Sequence, residues 1–208
     1  MKDELNLTHP IPSLAIMDEM LQLARQHELP TLDKIAFIGA QHKLETTATL
    51  FKAIIDLGAK PKNMFFTGKC YSTCPAVEES IKKLGVHVFD DPVPTSPGEY
   101  SEACAKVITT MWEQFNNHIK ELPDSEKIEK IIILDDGGKI IEGLKFTTIV
   151  RYQVIVIEQT RGGLYSKELT DHGIFPIILV AQCAAKRIIE APLIATAILT
   201  RLKKWLRT

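Results

Sequence analysis

Six short apolar runs, separated by segments of helical period, constrain this sequence more than any other feature. They are Lys34 to Gly39 (KIAFIG), Asn63 to Thr67 (NMFFT), Val86 to Phe89, Lys130 to Leu134 (KIIIL), Gln153 to Ile157 (QVIVI) and Phe175 to Val180 (FPIILV). Each is short and rich in β-branched or aromatic side chains, as strands are. The segments between them align apolar residues on one helical face. Leu50, Ile54 and Leu57 do so in 43–57, and Val77, Ile81 and Leu84 in 75–84. A longer helix after the proline-rich loop 90–98 carries Cys104, Ile108, Met111 and Phe115. An opening helix, capped by Ser13, carries Leu14, Met17, Leu21 and Ala24. A closing helix, opened by Pro192, carries Ala195, Ile198, Leu199, Leu202 and Leu206. Strand-helix alternation of this kind predicts an α/β fold. We expect a parallel, Rossmann- or flavodoxin-like sheet of about six strands, helices on both faces, and a C-terminal linker helix.

Composition narrows the function. The chain has 208 residues, enough for one domain and an appendage. Its 26 acidic and 25 basic residues leave a net charge of −1, which argues against nucleic acid as a partner. No apolar run has the length of a membrane span, so no membrane partner is expected. The four cysteines have no framework spacing, and Cys70 and Cys74 form a C-x3-C pair with no second pair. A metal site is therefore not expected, and reduced thiols in a cytoplasmic protein are.

Ligands of open α/β sheets bind beyond the carboxyl ends of the strands. Polar groups collect there in this sequence. The first strand runs into Gly39-Ala40-Gln41-His42, and the second into Gly68-Lys69-Cys70-Tyr71-Ser72-Thr73. The fourth ends in Asp135-Asp136-Gly137-Gly138, the fifth in Glu158-Gln159-Thr160, and the sixth leads to Lys186. Each group also has a plain structural role open to it. Asp135 and Asp136 could cap the following helix, and Ser72 and Thr73 the helix starting at Pro75. Lys186 could be a solvated lysine. Walker A, G-x-S-x-G, H-E-x-x-H and G-x-G-x-x-G motifs are all absent.

These residues resemble the substrate domain of the S-adenosylhomocysteine hydrolase (adenosylhomocysteinase) family. The resemblance rests on Gly39-Ala40-Gln41-His42 with Leu57-Gly58-Ala59, on Tyr71-Ser72-Thr73, and on Glu99-Tyr100. It rests most on Ile133-Leu134-Asp135-Asp136-Gly137-Gly138. Glu158-Gln159-Thr160 and Lys186 with Glu190 extend it, so that it covers about residues 32 to 192. It implies NAD-dependent, reversible hydrolysis of S-adenosylhomocysteine to adenosine and homocysteine, a reaction of one-carbon metabolism. His42, Asp136 and Lys186 fall on catalytic positions of the family. Ser72, Thr73, Gln159, Thr160 and Glu190 fall on substrate-binding ones. Several positions depart from the pattern. Gln159 stands in place of a glutamate, Leu44 of a threonine, Ala191 of an asparagine, and Lys139 of an aspartate. An amide at 159 cannot accept a proton at neutral pH.

The resemblance implies a division into a substrate domain, 1–190, and a hinge or linker helix, 191–208, leading toward a separate NAD-binding domain. Two functional readings follow. One is the substrate-binding half of a divergent adenosylhomocysteinase-like enzyme, inactive as this chain alone. The other is a non-catalytic nucleoside- or metabolite-binding module. Both expect a small nucleoside-type ligand such as adenosine or S-adenosylhomocysteine, and both leave a homo-oligomer open.

Overall fold

A computed structural model describes residues 11–96, 98–143, 152–160 and 175–205. Its first half contains α1 (Ala15–Gln26), β1 (Ile35–Ala40), α2 (Glu45–Asp56), β2 (Met64–Thr67), α3 (Pro75–Lys83) and β3 (His87–Val88). Then follow α4 (Tyr100–Glu121), β4 (Lys130–Asp135), α5 (Lys139–Glu142), β5 (Gln153–Glu158), β6 (Ile177–Leu179) and α6 (Ala191–Trp205). The six strands form one sheet in the order β3-β2-β1-β4-β5-β6, and every pairing is parallel. The expected α/β fold is the observed one.

The near-continuous apolar character of the central strands has a direct cause, since both of their faces are covered. In β1, Phe37 packs on one side with Phe66, Leu134, Phe51 and Ile54 of α2, and Val77 and Ile81 of α3. The adjacent Ile38 points the other way, into a cluster with Phe65, Ile131 and Ile133. Met111, Trp112 and Phe115 of α4 and Ile140 and Ile141 of α5 close that cluster. Gly39 lets the strands approach, because a Cβ there would stand 2.4 Å from the Leu134 carbonyl oxygen.

Two details differ from expectation. Ser13 does not cap α1. The N-cap is Leu14, without a side-chain bond, and the Ser13 hydroxyl donates to Asp18 instead. An acceptor in the first turn has captured the hydroxyl. At the other end, Pro192 does not open a separate helix. Lys186–Glu190 form a π-helical turn that runs directly into α6, with Pro192 in its first turn. Leu193, Ile194, Ile198, Leu199, Leu202 and Trp205 of α6 are exposed, and Leu206 lies outside the described residues. No helix among the described residues is long and apolar enough to cross a membrane.

Candidate functional site

The strand order reverses between β1 and β4, central neighbours from which the chain proceeds to opposite sheet edges. At such a switch point the loops diverge and leave a crevice beyond the carboxyl ends. The loop after β1 carries His42, and the loop after β4 carries Asp136. They meet there, with His42 Nε2 3.2 Å from Asp136 Oδ2. The other imidazole nitrogen, Nδ1, is hydrogen-bonded to the Ser72 hydroxyl. With the Nε2 proton donated to Asp136, a neutral ring accepts from Ser72 at Nδ1. Asp136 is nearly buried, and its second oxygen takes the Lys69 ammonium at 2.7 Å. Lys69 also donates to the Asp136 carbonyl at 2.7 Å.

Backbone pairing holds His42 and Ser72 together. Lys43 and Thr73 form a parallel bridge, in which Lys43 N donates to Ser72 O and Cys74 N to Lys43 O. The buried Lys43 side chain anchors the loop to Glu78 at 2.9 Å, Asp91 at 2.8 Å and the Phe89 carbonyl at 2.9 Å. Ser72 and Thr73 do not cap α3, whose N-cap is Cys74 without a side-chain bond. The Ser72 hydroxyl serves His42, and that of Thr73 donates to the Lys69 carbonyl at 3.4 Å.

The two aspartates after β4 have separate tasks. Neither is the N-cap of α5, which is Gly138 without a side-chain bond, but the Asp135 carboxylate accepts the first-turn Ile141 N–H at 3.0 Å. Asp135 is fully buried opposite Glu158, its partner in the β4–β5 register. Burial first, and the Glu158 carboxylate second, push its carboxyl up to about 7. Asp136 is turned toward the crevice instead. Gly137 and Gly138 make that possible, with φ of 108° and 77°, left-handed values that other residues rarely adopt. Glu158 holds the turn from below, accepting from Gly137 N at 3.2 Å and Gly138 N at 3.1 Å. It also accepts from the Thr160 backbone N at 2.8 Å and the Thr160 hydroxyl at 2.9 Å.

The remaining expected site residues lie along the same edge but are turned toward one another. Thr160 gives its hydroxyl to Glu158. The Gln159 amide oxygen accepts from Gln41 Nε2 at 2.5 Å, and its carbonyl accepts from the Lys186 ammonium at 2.7 Å. Glu190 stands 3.6 Å from Lys186 on the π-helical turn.

Sequence reasoning did not single out Lys69, Gln41 or Glu158. All three did lie in the strand-end segments, and a cation among paired carboxylates was the available signal for Lys69. A cavity of about 120 Å³ opens beside Asp136, with Lys69, Tyr71, Tyr100, Cys104 and Lys139 in its wall. The Tyr71 ring stands edge-on to His42, 5.9 Å between centroids. A wider open depression along α4 is lined by Asp90, Asp91, Glu99, Glu102 and Glu113, and neither His42 nor Asp136 reaches it.

The turn after β1 does not suit a dinucleotide. A pyrophosphate there needs glycines and free backbone N–H groups at the helix start. Here the turn carries Gln41 and Lys43, whose side chains are buried, and Leu44 as the N-cap of α2.

No family model matches the chain. It is similar to two uncharacterized proteins of Mycobacterium tuberculosis, MT0113 of strain CDC 1551 / Oshkosh and Rv0104 of strain ATCC 25618 / H37Rv. Each is 28% identical to it over 194 residues. That similarity covers 91% of this chain. The chain spans only about a third, 36%, of the length of these curated relatives.

Proposed function

We propose that this domain is an S-adenosylhomocysteine-hydrolase-like substrate domain that binds a nucleoside-type metabolite in the β1/β4 crevice. The observation that carries the reading is the His42–Asp136 pair at the switch point, with Ser72 behind the imidazole. A histidine fixed at both nitrogens, between a carboxylate and a hydroxyl, can hold or pass a proton at Nε2. Lys69 keeps Asp136 oriented toward it. Lys186, on the far side of Gln159, is the group available to a ribose hydroxyl.

The reading is one of binding and proton handling. Hydride chemistry belongs to NAD, and the turn after β1 does not fit that cofactor. One observation favours binding without turnover. Gln159 is engaged by Gln41 at 2.5 Å, and its amide cannot act as a base. We therefore expect no homocysteine release from S-adenosylhomocysteine by the 208-residue chain.

Calorimetric titration tests the reading, using adenosine, S-adenosylhomocysteine and NAD separately. Adenosine or S-adenosylhomocysteine should bind, and NAD alone should not. Asp136→Asn and His42→Ala should each weaken nucleoside binding about tenfold, the loss of one hydrogen bond to the ligand. A chain that binds neither nucleoside overturns the proposal.

A further inference from the structure

The helix α6 stands away from the core of the domain. All of its described side chains are exposed, and it continues the π-helical turn Lys186–Glu190. A helix of 15 residues with no packed face is marginal in water. Its apolar side chains are not scattered. Ile194, Ile198, Leu202 and Trp205 follow at spacings of four, four and three residues, and so form one stripe. Ile188 and Ile189 of the preceding turn, with Leu193 and Leu199, widen the exposed apolar surface. Apolar patches of this extent mark interaction surfaces. Arg201, three residues after Ile198 and four before Trp205, borders the stripe. Segment 191–208 carries Arg201, Lys203, Lys204 and Arg207 and no acidic residue.

The depression along α4 complements that helix in length, polarity and charge. It encloses about 1120 Å³ and follows one face of α4 from Glu99 to Glu113. That stretch of helix spans about 21 Å, and the 15 residues of α6 span about 22 Å. Ala103 and Val107 of α4, with Phe89 and Val93 after β3, give the groove an apolar lining. Its rim is acidic. Asp91 is paired with Lys43 at 2.8 Å, but Asp90, Glu99, Glu102 and Glu113 form no ion pair among the described residues. Glu99 accepts the neutral Thr95 hydroxyl at 2.6 Å and keeps its charge. Among the described residues Lys106 is the one cation in the wall, so unpaired negative charge is in excess. The groove lies beside β3, whose chain runs on into Phe89 and Asp90, whereas α6 follows β6. In the order β3-β2-β1-β4-β5-β6 these strands are the two sheet edges, about 24 Å apart. A helix leaving one edge meets the groove of a neighbouring molecule rather than its own.

We infer that α6 of one copy docks in the acidic groove along α4 of a second copy of this chain. The apolar stripe meets Ala103, Val107 and Val93, and Arg201 and Lys203 meet the rim carboxylates. An amphipathic helix laid into an apolar groove is a recurrent mode of recognition, and matched charges on the rim set its partner. The contact joins two different surfaces of one chain, so copies associate head to tail or close as a reciprocal pair. It is independent of the nucleoside reading, since neither His42 nor Asp136 reaches the groove.

The test is analytical ultracentrifugation of the 208-residue chain with charge reversals on each surface. One variant carries Arg201→Glu and Lys203→Glu on the helix, and the other Glu102→Lys and Glu113→Lys on the groove. All four residues are exposed, so both variants should fold; thermal melting checks that they do. The parent should self-associate, and less so at high salt. Each variant alone should associate about tenfold more weakly, because like charges then face each other. Mixed in equal amounts, the two variants should associate as the parent does. The reversed helix of one fits the reversed groove of the other, and their unaltered surfaces match as before. A parent that stays monomeric overturns the proposal. So does association that the helix variant loses and the groove variant keeps, which would mean that the helices pair with each other. A mixture no more associated than its components overturns the groove as the docking site.

Discussion

The two halves of the carboxyl edge are built alike and left in opposite states. Around β5, polar groups close on one another. Glu158 takes two glycine N–H groups and both donors of Thr160. Gln159 is taken by Gln41 and Lys186. Around β1 and β4, the paired groups remain at the crevice. The His42 side chain is 38% exposed where it meets Asp136, and Tyr71 beside it is 68% exposed. On the proposed reading, the β5 end serves mainly stability and the β1/β4 end meets the ligand. This division places the cost of substitution in one half and the effect on ligands in the other.

Glu158→Ala should be the most damaging change. It removes the acceptor for three backbone N–H groups and one hydroxyl at a fully buried position. A buried donor left unsatisfied costs about 1–3 kcal/mol. Relief of the repulsion with Asp135 offsets part of this, so about 4 kcal/mol is expected in urea denaturation. A loss under about 1 kcal/mol would mean that the turn at Gly137-Gly138 stands without Glu158.

Asp135→Asn should act in the other direction and depend on pH. The folded carboxyl titrates at about 7, above its ordinary value of 3.8. Between these values the native state holds a proton that the unfolded chain has released. Stability from this group therefore falls as pH rises from about 4 to about 7, then levels off. At about 1.4 kcal/mol per pH unit the effect is bounded at about 4 kcal/mol, and relaxation around the pair lowers it. Asparagine keeps an acceptor for the Ile141 N–H and carries no charge. The variant should be more stable than the parent at pH 8, by about 2 kcal/mol, and the gain should shrink toward pH 5. A gain that is the same at both pH values would sink the assignment.

Much of this was legible in the sequence, and what was not has a physical reason. Ile131 and Ile133 face one helix layer while Phe37 and Leu134 face the other, so a run such as KIIIL signals a strand covered on both sides. The crevice followed from the same reading, because a parallel strand's polar continuation has one edge to go to. The choice of partner was not legible. Ser72 has the sequence context of a cap for α3, yet its hydroxyl meets His42, from 30 residues earlier, because Lys43 and Thr73 pair across the two loops. The adjacent Asp135 and Asp136 look equivalent in a string of letters. Only the left-handed turn after them sends one inward to α5 and the other to the crevice. Lys69 was passed over for a similar reason, since its carboxylate partner is 67 residues away.

The smallest expected effect on folding falls on the residue with the largest expected role. His42→Ala removes a half-buried ring whose partners keep other contacts. Asp136 retains Lys69 at 2.7 Å, and the freed Ser72 hydroxyl stands at a crevice that water can enter. Exposed or part-exposed pairs contribute about 0–1 kcal/mol, so the loss in urea denaturation should stay below about 1 kcal/mol. If the β1/β4 end were a structural network like the β5 end, the loss would approach that of Glu158→Ala. A folded His42→Ala protein with unchanged nucleoside affinity would be equally damaging, since it would leave the pair with neither role. The predicted combination, little change in stability with weakened nucleoside binding, is the result that separates a site from a scaffold.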